Sequence, residues 1–159
     1  MRTGTRPSRR NESNTRHPPP VDRLPGDVPR EIALAHELVH GVLRRKLWLD
    51  FQIARHSSRP LEKIEGDLLQ VLRLAVYQIL FLDRIPARAA VSEAVNLARE
   101  CERRAAPRRE GAAGFVNAVL RALAREGEGP VPGPSDDFAA LAVYHSYPAV
   151  LAERWKLRM

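Results

Sequence analysis

Two histidines and a glutamate ahead of residue 41 have the spacing of a zinc-binding motif. His36, Glu37 and His40 form a literal H-E-x-x-H sequence within a stretch that is predicted to be helical. Because residues i and i+4 share one face of a helix, the motif could place two imidazoles on a zinc ion, with the glutamate as general base. A third ligand is not well placed, since only Asp50 and Glu62 are loose candidates. A zinc hydrolase stays open as an alternative, and the pattern favours two partly exposed helix histidines.

The single cysteine limits the other chemistry that the sequence could support. Cys101 excludes an intramolecular disulfide and a cysteine-rich zinc site, which favours a reducing, cytoplasmic environment. It lies in a predicted helix, where a lone cysteine is typical of a small core residue. The first residues have no apolar stretch of the kind found in signal peptides. The most apolar run is shorter than the roughly 20 residues that a membrane span requires, so no membrane partner is expected.

The charge of the chain favours a polyanionic partner. Its 159 residues contain 26 lysines and arginines against 19 aspartates and glutamates, which gives a net charge of +7 and a pI near 10.4. Nucleic acid is the simplest partner for such a basic chain. Seven arginines and only three acidic residues fall within residues 1–30, so more than half of the surplus charge lies there.

Two clusters of arginines are the candidate RNA-binding residues. Residues 1–26 are rich in Arg, Ser, Asn, Thr and Pro without periodicity, and we expect them to form a disordered basic arm. A second basic stretch follows a predicted helix near residue 105. Guanidinium groups in both could contact phosphates and release counterions, whereas a solubilising arm and a solvated helix face are the alternatives. The candidates are Arg6, Arg9, Arg10, Arg16, Arg103, Arg104, Arg108 and Arg109.

The elements that would position these residues are all predicted to be helices. Residues 68–82 are the most apolar run and carry apolar side chains nearly all round, so we expect a central helix that its neighbours cover. This helix ends before Ile85-Pro86, because the residue before a proline disfavours helix. Further helices are predicted over residues 47–55, 87–103 and 112–125.

A further helix is predicted near the start of the chain, and a linker is predicted near its end. A helix is predicted to begin after Asp27 as its cap, and its apolar face is predicted to consist of Ile32, Ala35, Leu38, Val39, Val42 and Leu43. Residues 126–135 are rich in Gly and Pro and are predicted to be a linker. Because no stretch alternates with a period of two for long enough to be a strand, the predicted fold class is all-α.

Five segments of the chain resemble the NusB-type RNA-binding domain. The resemblance runs from about Asp27 to Leu123 and depends on the combination of the segments rather than on any one of them. It implies a helical bundle over residues 27–125 with RNA as its partner. The segments are ELVHGVLR (37–44), RPLEKI (59–64), LRLAVYQILFL (72–82), IPARAAVSEAV (85–95) and GFVNAVLR (114–121).

More specifically, the chain resembles the N-terminal region of the 16S ribosomal RNA cytosine-5 methyltransferases of the RsmB (Sun/Fmu) family. HSYP (145–148) and ERW (153–155) are similar to the start of that family's methyltransferase region, so residues 136–159 are expected to begin it. The resemblance implies 16S ribosomal RNA as the partner and, for full-length members, S-adenosylmethionine as the cofactor. The family's two catalytic cysteines and its glycine-rich cofactor loop have no counterpart in this chain, which alone is expected to have neither a cofactor nor catalytic activity.

A stand-alone module in transcription antitermination, binding RNA and a protein partner, is the alternative function. A protein of that kind would be expected to finish near Arg125. In the family the domain begins with an amphipathic helix, and here that position holds the proline-broken arm. The bundle is therefore expected to lack one wall and to expose an apolar groove to a protein partner.

Overall fold

A computed structural model describes residues 29–105, 110–132 and 138–148, together with residues 150, 151, 154 and 157. These residues form α-helices and one short 3₁₀ turn, and no strand occurs among them. The predicted all-α class is confirmed. The helices are α1 (Arg30–Arg44), α2 (Lys46–His56), α3 (Gly66–Phe81), α4 (Ala87–Arg104), α5 (Ala112–Glu126) and α6 (Phe138–His145), and the 3₁₀ turn spans Leu61–Lys63.

Helix α3 lies at the centre of the bundle, as its composition predicts. It contacts α1, α2, α4 and α5, and it buries Leu68, Leu72 and Val76 almost completely. The acidic residue in its first turn, Asp67, lies at the positive end of the helix dipole, where a carboxylate is favourable. The central helix therefore exists with nearly the predicted bounds, and the other helices are arranged around it.

One charged side chain lies within these apolar surroundings. Arg73 of α3 is 7% exposed, and its Nε and Nη2 donate to the two carboxylate oxygens of Asp50 on α2 at 2.7 and 2.8 Å. Burying a charge is costly unless it is paired and hydrogen-bonded. The two parallel hydrogen bonds meet that requirement and also hold α2 in one position against α3.

A stripe of small residues allows α4 to approach its neighbours closely. Ala90, Ala94 and Ala98 are buried at intervals of four residues, and α4 packs extensively against both α3 and α5. Helix α5 supplies larger side chains to the same core, among them Val116 and Leu120. These three helices form the part of the bundle that carries the candidate site described below.

Helix α1 packs on the bundle by a narrow side and leaves part of its apolar face in solvent. Gly41 lies against the ring of Tyr77 on α3, where an added Cβ would be 2.0 Å from the Tyr77 Cζ. Of the predicted apolar face, Val42 is buried and Leu38 is half-buried, whereas Ile32, Val39 and Leu43 are 57%, 54% and 67% exposed. The close approach at Gly41 turns the side of α1 that carries Gly41 and Val42 towards the bundle, and the rest of the apolar face stays in solvent.

The exposed part of the α1 face carries the apolar side chains of Ile32, Val39 and Leu43. Helix α1 begins at Arg30 after Pro29 and has no side-chain cap, so the prediction that Asp27 caps it is wrong. Residues 1–28, which include the predicted arm, lie outside the described residues. None of the described helices is long and apolar enough to cross a membrane.

The chain beyond α5 packs against α2. Helix α5 ends at Gly127, whose φ of +73° and ψ of −165° are accessible essentially to glycine alone. The described residues that follow it contact α2, and so does α6. Part of the stretch predicted to be a linker, residues 126–135, is therefore the end of α5 or is bound to α2, while residues 133–137 lie outside the described residues.

Candidate nucleic-acid interface

Three arginines lie on the exposed side of the end of α4. Arg99, Arg103 and Arg104 are all exposed, and Glu100 forms ion pairs with the latter two. Arg104 Nε is 2.8 Å from Glu100 Oε1, while Arg103 pairs with the other carboxylate oxygen. Exposed pairs of this kind contribute little to stability, so a phosphate oxygen can replace the carboxylate at small cost. Of the predicted RNA-binding residues, Arg103 and Arg104 are thus brought together on one turn.

The start of α5 lies directly beside this turn. Helix α5 begins after Gly111, which has φ of +84° and offers no side chain to cap the helix. Glu102 of α4 supplies the missing acceptor, because its Oε1 accepts a hydrogen bond from the Ala113 N–H at 3.0 Å. Its negative charge also lies at the positive end of the α5 dipole. The last turn of α4 and the first turn of α5 are therefore fixed to each other.

A further arginine reaches the first turn of α5 from the loop that follows α2. The Arg59 guanidinium carbon lies 4.7 Å from the centre of the Phe115 ring, a cation–π contact. The Ser57 hydroxyl fixes the loop, because its Oγ donates to the Arg59 carbonyl at 2.6 Å and accepts from the Arg59 N–H at 3.0 Å. Sequence reasoning missed Arg59 as a candidate, although RPLEKI was one of the segments that carried the resemblance.

These side chains together form what we call the basic end of the bundle, namely Arg59, Arg99, Arg103, Arg104 and the ring of Phe115. The guanidinium groups can bind phosphate oxygens, and an aromatic ring with an arginine on its face is a surface on which an unpaired base can stack. The stretch that joins α4 to α5 carries Arg108 and Arg109, but these lie outside the described residues, as do Arg6, Arg9, Arg10 and Arg16. Their proposed contact with RNA stays a prediction.

The H-E-x-x-H motif does not assemble a zinc site among the described residues. The rings of His36 and His40 lie side by side, with their centres 4.1 Å apart. No group of three or more His, Cys, Asp and Glu side chains that could hold a metal ion occurs in the described part of the chain. Asp50, one of the loose candidates for a third ligand, is bound to Arg73 instead. His36 and His40 are thus neighbours on α1.

The described residues do not fit the cofactor of a methyltransferase. They form helices and turns, and none of them forms a strand followed by a glycine-rich loop, the arrangement expected for S-adenosylmethionine. The one cysteine, Cys101, is half-buried within α4 and packs against the hydrophobic core. A cysteine in that position is a packing residue, as its sequence context predicts.

The fold and its surface define a small all-α bundle in which two helix ends and a loop gather arginines at one end. Its family can be stated directly. The family model described as "NusB family" matches residues 20–125, about two thirds of the chain, and the chain belongs to this family.

Two kinds of relatives are similar to this chain. The "Probable ribosomal RNA small subunit methyltransferase B" of Bacillus subtilis (strain 168) is 37% identical over 122 residues, which are 77% of this chain and 26% of that protein. The "Ribosomal RNA small subunit methyltransferase B" of Pseudomonas putida is 34% identical over 108 residues, 68% of this chain and 23% of that protein. The "Transcription antitermination protein NusB" of Bradyrhizobium sp. (strain ORS 278) is 35% identical over 109 residues, 67% of this chain and 61% of that protein.

The lengths of these relatives differ from that of this chain. It spans about a quarter of the length of the methyltransferase relatives and about three fifths of the antitermination relative. No solved structure matches the chain significantly.

Proposed function

We propose that this chain is the RNA-binding, targeting part of a ribosomal RNA methyltransferase of the RsmB type, with 16S ribosomal RNA as its partner. The observation that carries the proposal is the extent of the match to the Bacillus subtilis relative. That match covers 77% of this chain at 37% identity, whereas the match to the Bradyrhizobium antitermination protein covers 67% of it at 35% identity. Members of the NusB family bind RNA. Methyl transfer itself would belong to the three quarters of the relative that this chain does not span.

The basic end is the surface that we assign to the RNA. Its guanidinium groups would replace the counterions of the phosphate backbone, and this exchange makes binding dependent on salt. The ring of Phe115 beside Arg59 would accept an unpaired base, because sequence-specific RNA recognition mostly uses splayed-out bases that stack on aromatic or arginine planes. The arm over residues 1–26 would add a second set of phosphate contacts, as arginine-rich segments do.

The division of the chain follows the same proposal. Residues 27–125 would be the RNA-binding bundle, residues 126–135 would join it to the next part, and residues 136–159 would begin the methyltransferase region. S-adenosylmethionine would then be bound by the complete protein and not by this part of it. A cytoplasmic location, where ribosomal RNA is found, is part of the proposal.

A second candidate function is a stand-alone antitermination module. The match to the Bradyrhizobium protein favours it, because this chain spans 61% of that relative. The exposed side chains of Ile32, Val39 and Leu43 on α1 would then be the surface for a protein partner, since exposed apolar patches often mark such interfaces.

The RNA-binding proposal is tested by fluorescence anisotropy with labelled fragments that tile 16S ribosomal RNA. We expect the logarithm of the affinity to fall linearly with the logarithm of the salt concentration. The Arg103→Ala/Arg104→Ala variant should bind more weakly and lower the salt slope by about 1 for each phosphate that it no longer binds. The matched control is Arg121→Ala/Arg125→Ala, which removes the same charge from exposed positions farther along α5. Absent or salt-independent binding, or an equal loss of affinity in the control, would contradict the proposal.

The contribution of the arm is measured separately in the same assay. Replacing its four candidate arginines by alanine should weaken binding to all fragments by a similar factor, because phosphate contacts do not read sequence. An unchanged affinity and salt slope would remove the arm from the RNA site. The four positions are Arg6, Arg9, Arg10 and Arg16.

The choice between the two candidate functions depends on the size of the natural protein. An immunoblot of the source cells, with an antibody raised against residues 27–125, measures it directly. A band much larger than 17.9 kDa is expected for the methyltransferase. A band at 17.9 kDa would place the antitermination module first.

A further inference from the structure

The residues immediately after α5 are bound to α2 by two specific hydrogen bonds. The Trp48 Nε1 donates to Glu128 Oε1 at 2.8 Å, and the Gly129 N–H donates to Gln52 Oε1 at 3.0 Å. Gly129 is buried, and a Cβ at this position would lie 2.3 Å from an Arg55 guanidinium nitrogen. The backbone at Gly129 therefore lies close to the Gln52 and Arg55 side chains of α2.

A second set of hydrogen bonds joins the end of α6 to the start of α2. Helix α2 follows Arg45, which makes no side-chain cap, so its first N–H groups need another acceptor. Ser146 provides it, because its Oγ accepts from the Leu47 N–H at 3.1 Å and from the Trp48 N–H at 3.3 Å. Ser146 adopts a left-handed conformation with φ of +55°, which is unfavourable for a residue with a side chain. Such strain persists where surrounding contacts hold it, and here the cap of α2 does so.

Aromatic contacts complete the enclosure of Trp48. The Tyr144 ring meets the Trp48 ring edge-on with 5.0 Å between their centres, and Phe51 stacks on the same indole at 5.1 Å. The Arg45 guanidinium lies 4.4 Å from the centre of the Phe81 ring and 5.9 Å from that of Tyr144. Trp48 is 1% exposed as a result, although it lies in the first turn of α2.

The four residues after α5 that contact α2 lie outside the matched family region. That region ends at residue 125, whereas Glu128, Gly129, Tyr144 and Ser146 follow it. Residues 127–132 and 138–148, which we call the C-terminal joint, are thus an addition to the family bundle and are built onto its α2 face. A flexible tether would have needed none of the hydrogen bonds, the buried glycine or the strained serine.

We propose that the C-terminal joint is a fixed interface that sets the orientation of whatever follows residue 148 relative to the basic end of the bundle. The occupant of the α2 face is the chain itself, and its purpose rests on the proposed function. In a protein whose bundle holds ribosomal RNA, a fixed joint limits which nucleotide can reach the next domain. A flexible linker would instead sample many separations. The joint therefore helps to determine which nucleotide of the RNA reaches the next domain.

The orientation is measured by double electron–electron resonance on the full chain. Spin labels are placed at Arg121→Cys on α5 and Val150→Cys beyond the joint, both exposed, in a Cys101→Ala background. The proposal predicts one narrow distance distribution in the otherwise unchanged chain. A broad distribution would overturn it, because it would mean that the segment is tethered rather than fixed.

The assigned contacts are tested by variants in the same labelled chain. Glu128→Ala/Ser146→Ala removes both acceptors, so it should replace the narrow distribution by a broad one. It should also shift the emission of Trp48 to longer wavelength, measured with Trp155→Phe to isolate it. Ser58→Ala, an exposed serine in the loop after α2, is the matched control and should change neither. A narrow distribution that survives in the double variant would overturn the assignment to these residues.

A separate readout distinguishes this proposal from the RNA-binding proposal. The distance distribution does not require RNA, so a narrow result stands even if the chain fails to bind ribosomal RNA. Conversely, RNA affinity of the isolated chain should be unchanged in Glu128→Ala/Ser146→Ala. The joint lies on α2, whereas the basic end lies where the end of α4 and the start of α5 meet the loop that carries Arg59. Circular dichroism of the same variant should retain the helix signal of the parent chain, and its loss would overturn the claim that the joint is an addition to an independent bundle.

Discussion

The ion pair between Arg73 and Asp50 gives the most direct test of how the bundle is held together. Asp50→Asn keeps the shape of the side chain but leaves the arginine charge buried without a counter-charge. Removing one partner of a buried pair costs about 3–5 kcal/mol. Because the Arg73 and Asp50 side chains retain 9% and 16% of their exposure, some hydration remains, and we expect about 3 kcal/mol of lost unfolding free energy.

Urea denaturation followed by circular dichroism measures this loss. With an m value of about 1.5 kcal/mol per M, the expected change lowers the midpoint by about 2 M without changing the slope. Glu93→Gln, an exposed acidic residue on α4, is the matched control and should change stability by no more than about 0.5 kcal/mol.

The double replacement Asp50→Leu/Arg73→Met tests whether stability depends on the two charges or only on the space that the two side chains fill. It removes both charges and fills the space with apolar groups, which is often neutral or stabilising, so we expect stability within about 1 kcal/mol of the parent. If Asp50→Asn is as stable as the parent, or if the double variant loses as much stability as Asp50→Asn, the pair does not compensate buried charge and the reasoning fails.

Four further outcomes are expected. Gly41→Ala should destabilise the chain by about 1–3 kcal/mol in urea denaturation, because its Cβ would overlap the Tyr77 ring, and Tyr77→Leu should relieve most of that loss. Burial, followed by the nearby charge of Glu37, raises the pKa of Tyr77 above its usual value of 10.0. The stabilising contribution of the neutral Tyr77 side chain is therefore complete below pH 10 and is lost as the pH rises through the raised pKa. Absorbance titration at 295 nm, with Tyr77→Phe as reference, measures this pKa. Glu100→Gln should strengthen RNA binding, since it frees two arginines, whereas Glu31→Gln on α1 should change it less; an equal change would mean that only net charge matters. Metal analysis after dialysis should find no stoichiometric zinc, and a retained equivalent would restore the H-E-x-x-H motif as a site.

The sequence predicted the elements of the bundle because their patterns are local. The apolar run at residues 68–82 became α3, and the predicted helices at 87–103 and 112–125 appear as Ala87–Arg104 and Ala112–Glu126. Proline and glycine positions fixed these boundaries, since Pro86 precedes α4 and Gly127 ends α5. The resemblance to the NusB type was also readable from the segments and is confirmed by the family match.

What the sequence did not predict depends on contacts between distant residues. No local pattern says that the acidic partner of Arg73 is Asp50, or that the ring of Tyr77 needs the glycine at position 41. The apolar face of α1 was identified from the sequence, but amphipathic spacing cannot tell which part of that face has a neighbour, and only the part at Val42 is buried. The joint was missed because a stretch rich in Gly and Pro is typical of a linker, and only the structure shows Ser146 at the start of α2.

Part of the candidate site was also identified from the sequence, and part of it was not. Arg103 and Arg104 were identified from charge and lie where an end of α4 exposes them. Arg59 was not, because its nearness to Phe115 arises only when the loop after α2 meets the first turn of α5.

The central claim is that RNA binds at the basic end, and ultraviolet crosslinking followed by mass spectrometry tests it most directly. The full chain is bound to 16S ribosomal RNA fragments at low salt, irradiated and digested, and the crosslinked peptides are identified. The account predicts crosslinks in peptides that contain Arg59 and Phe115 and in the peptides around Arg103. Crosslinks confined to α1 or α6, or none at a concentration where anisotropy shows binding, would contradict it.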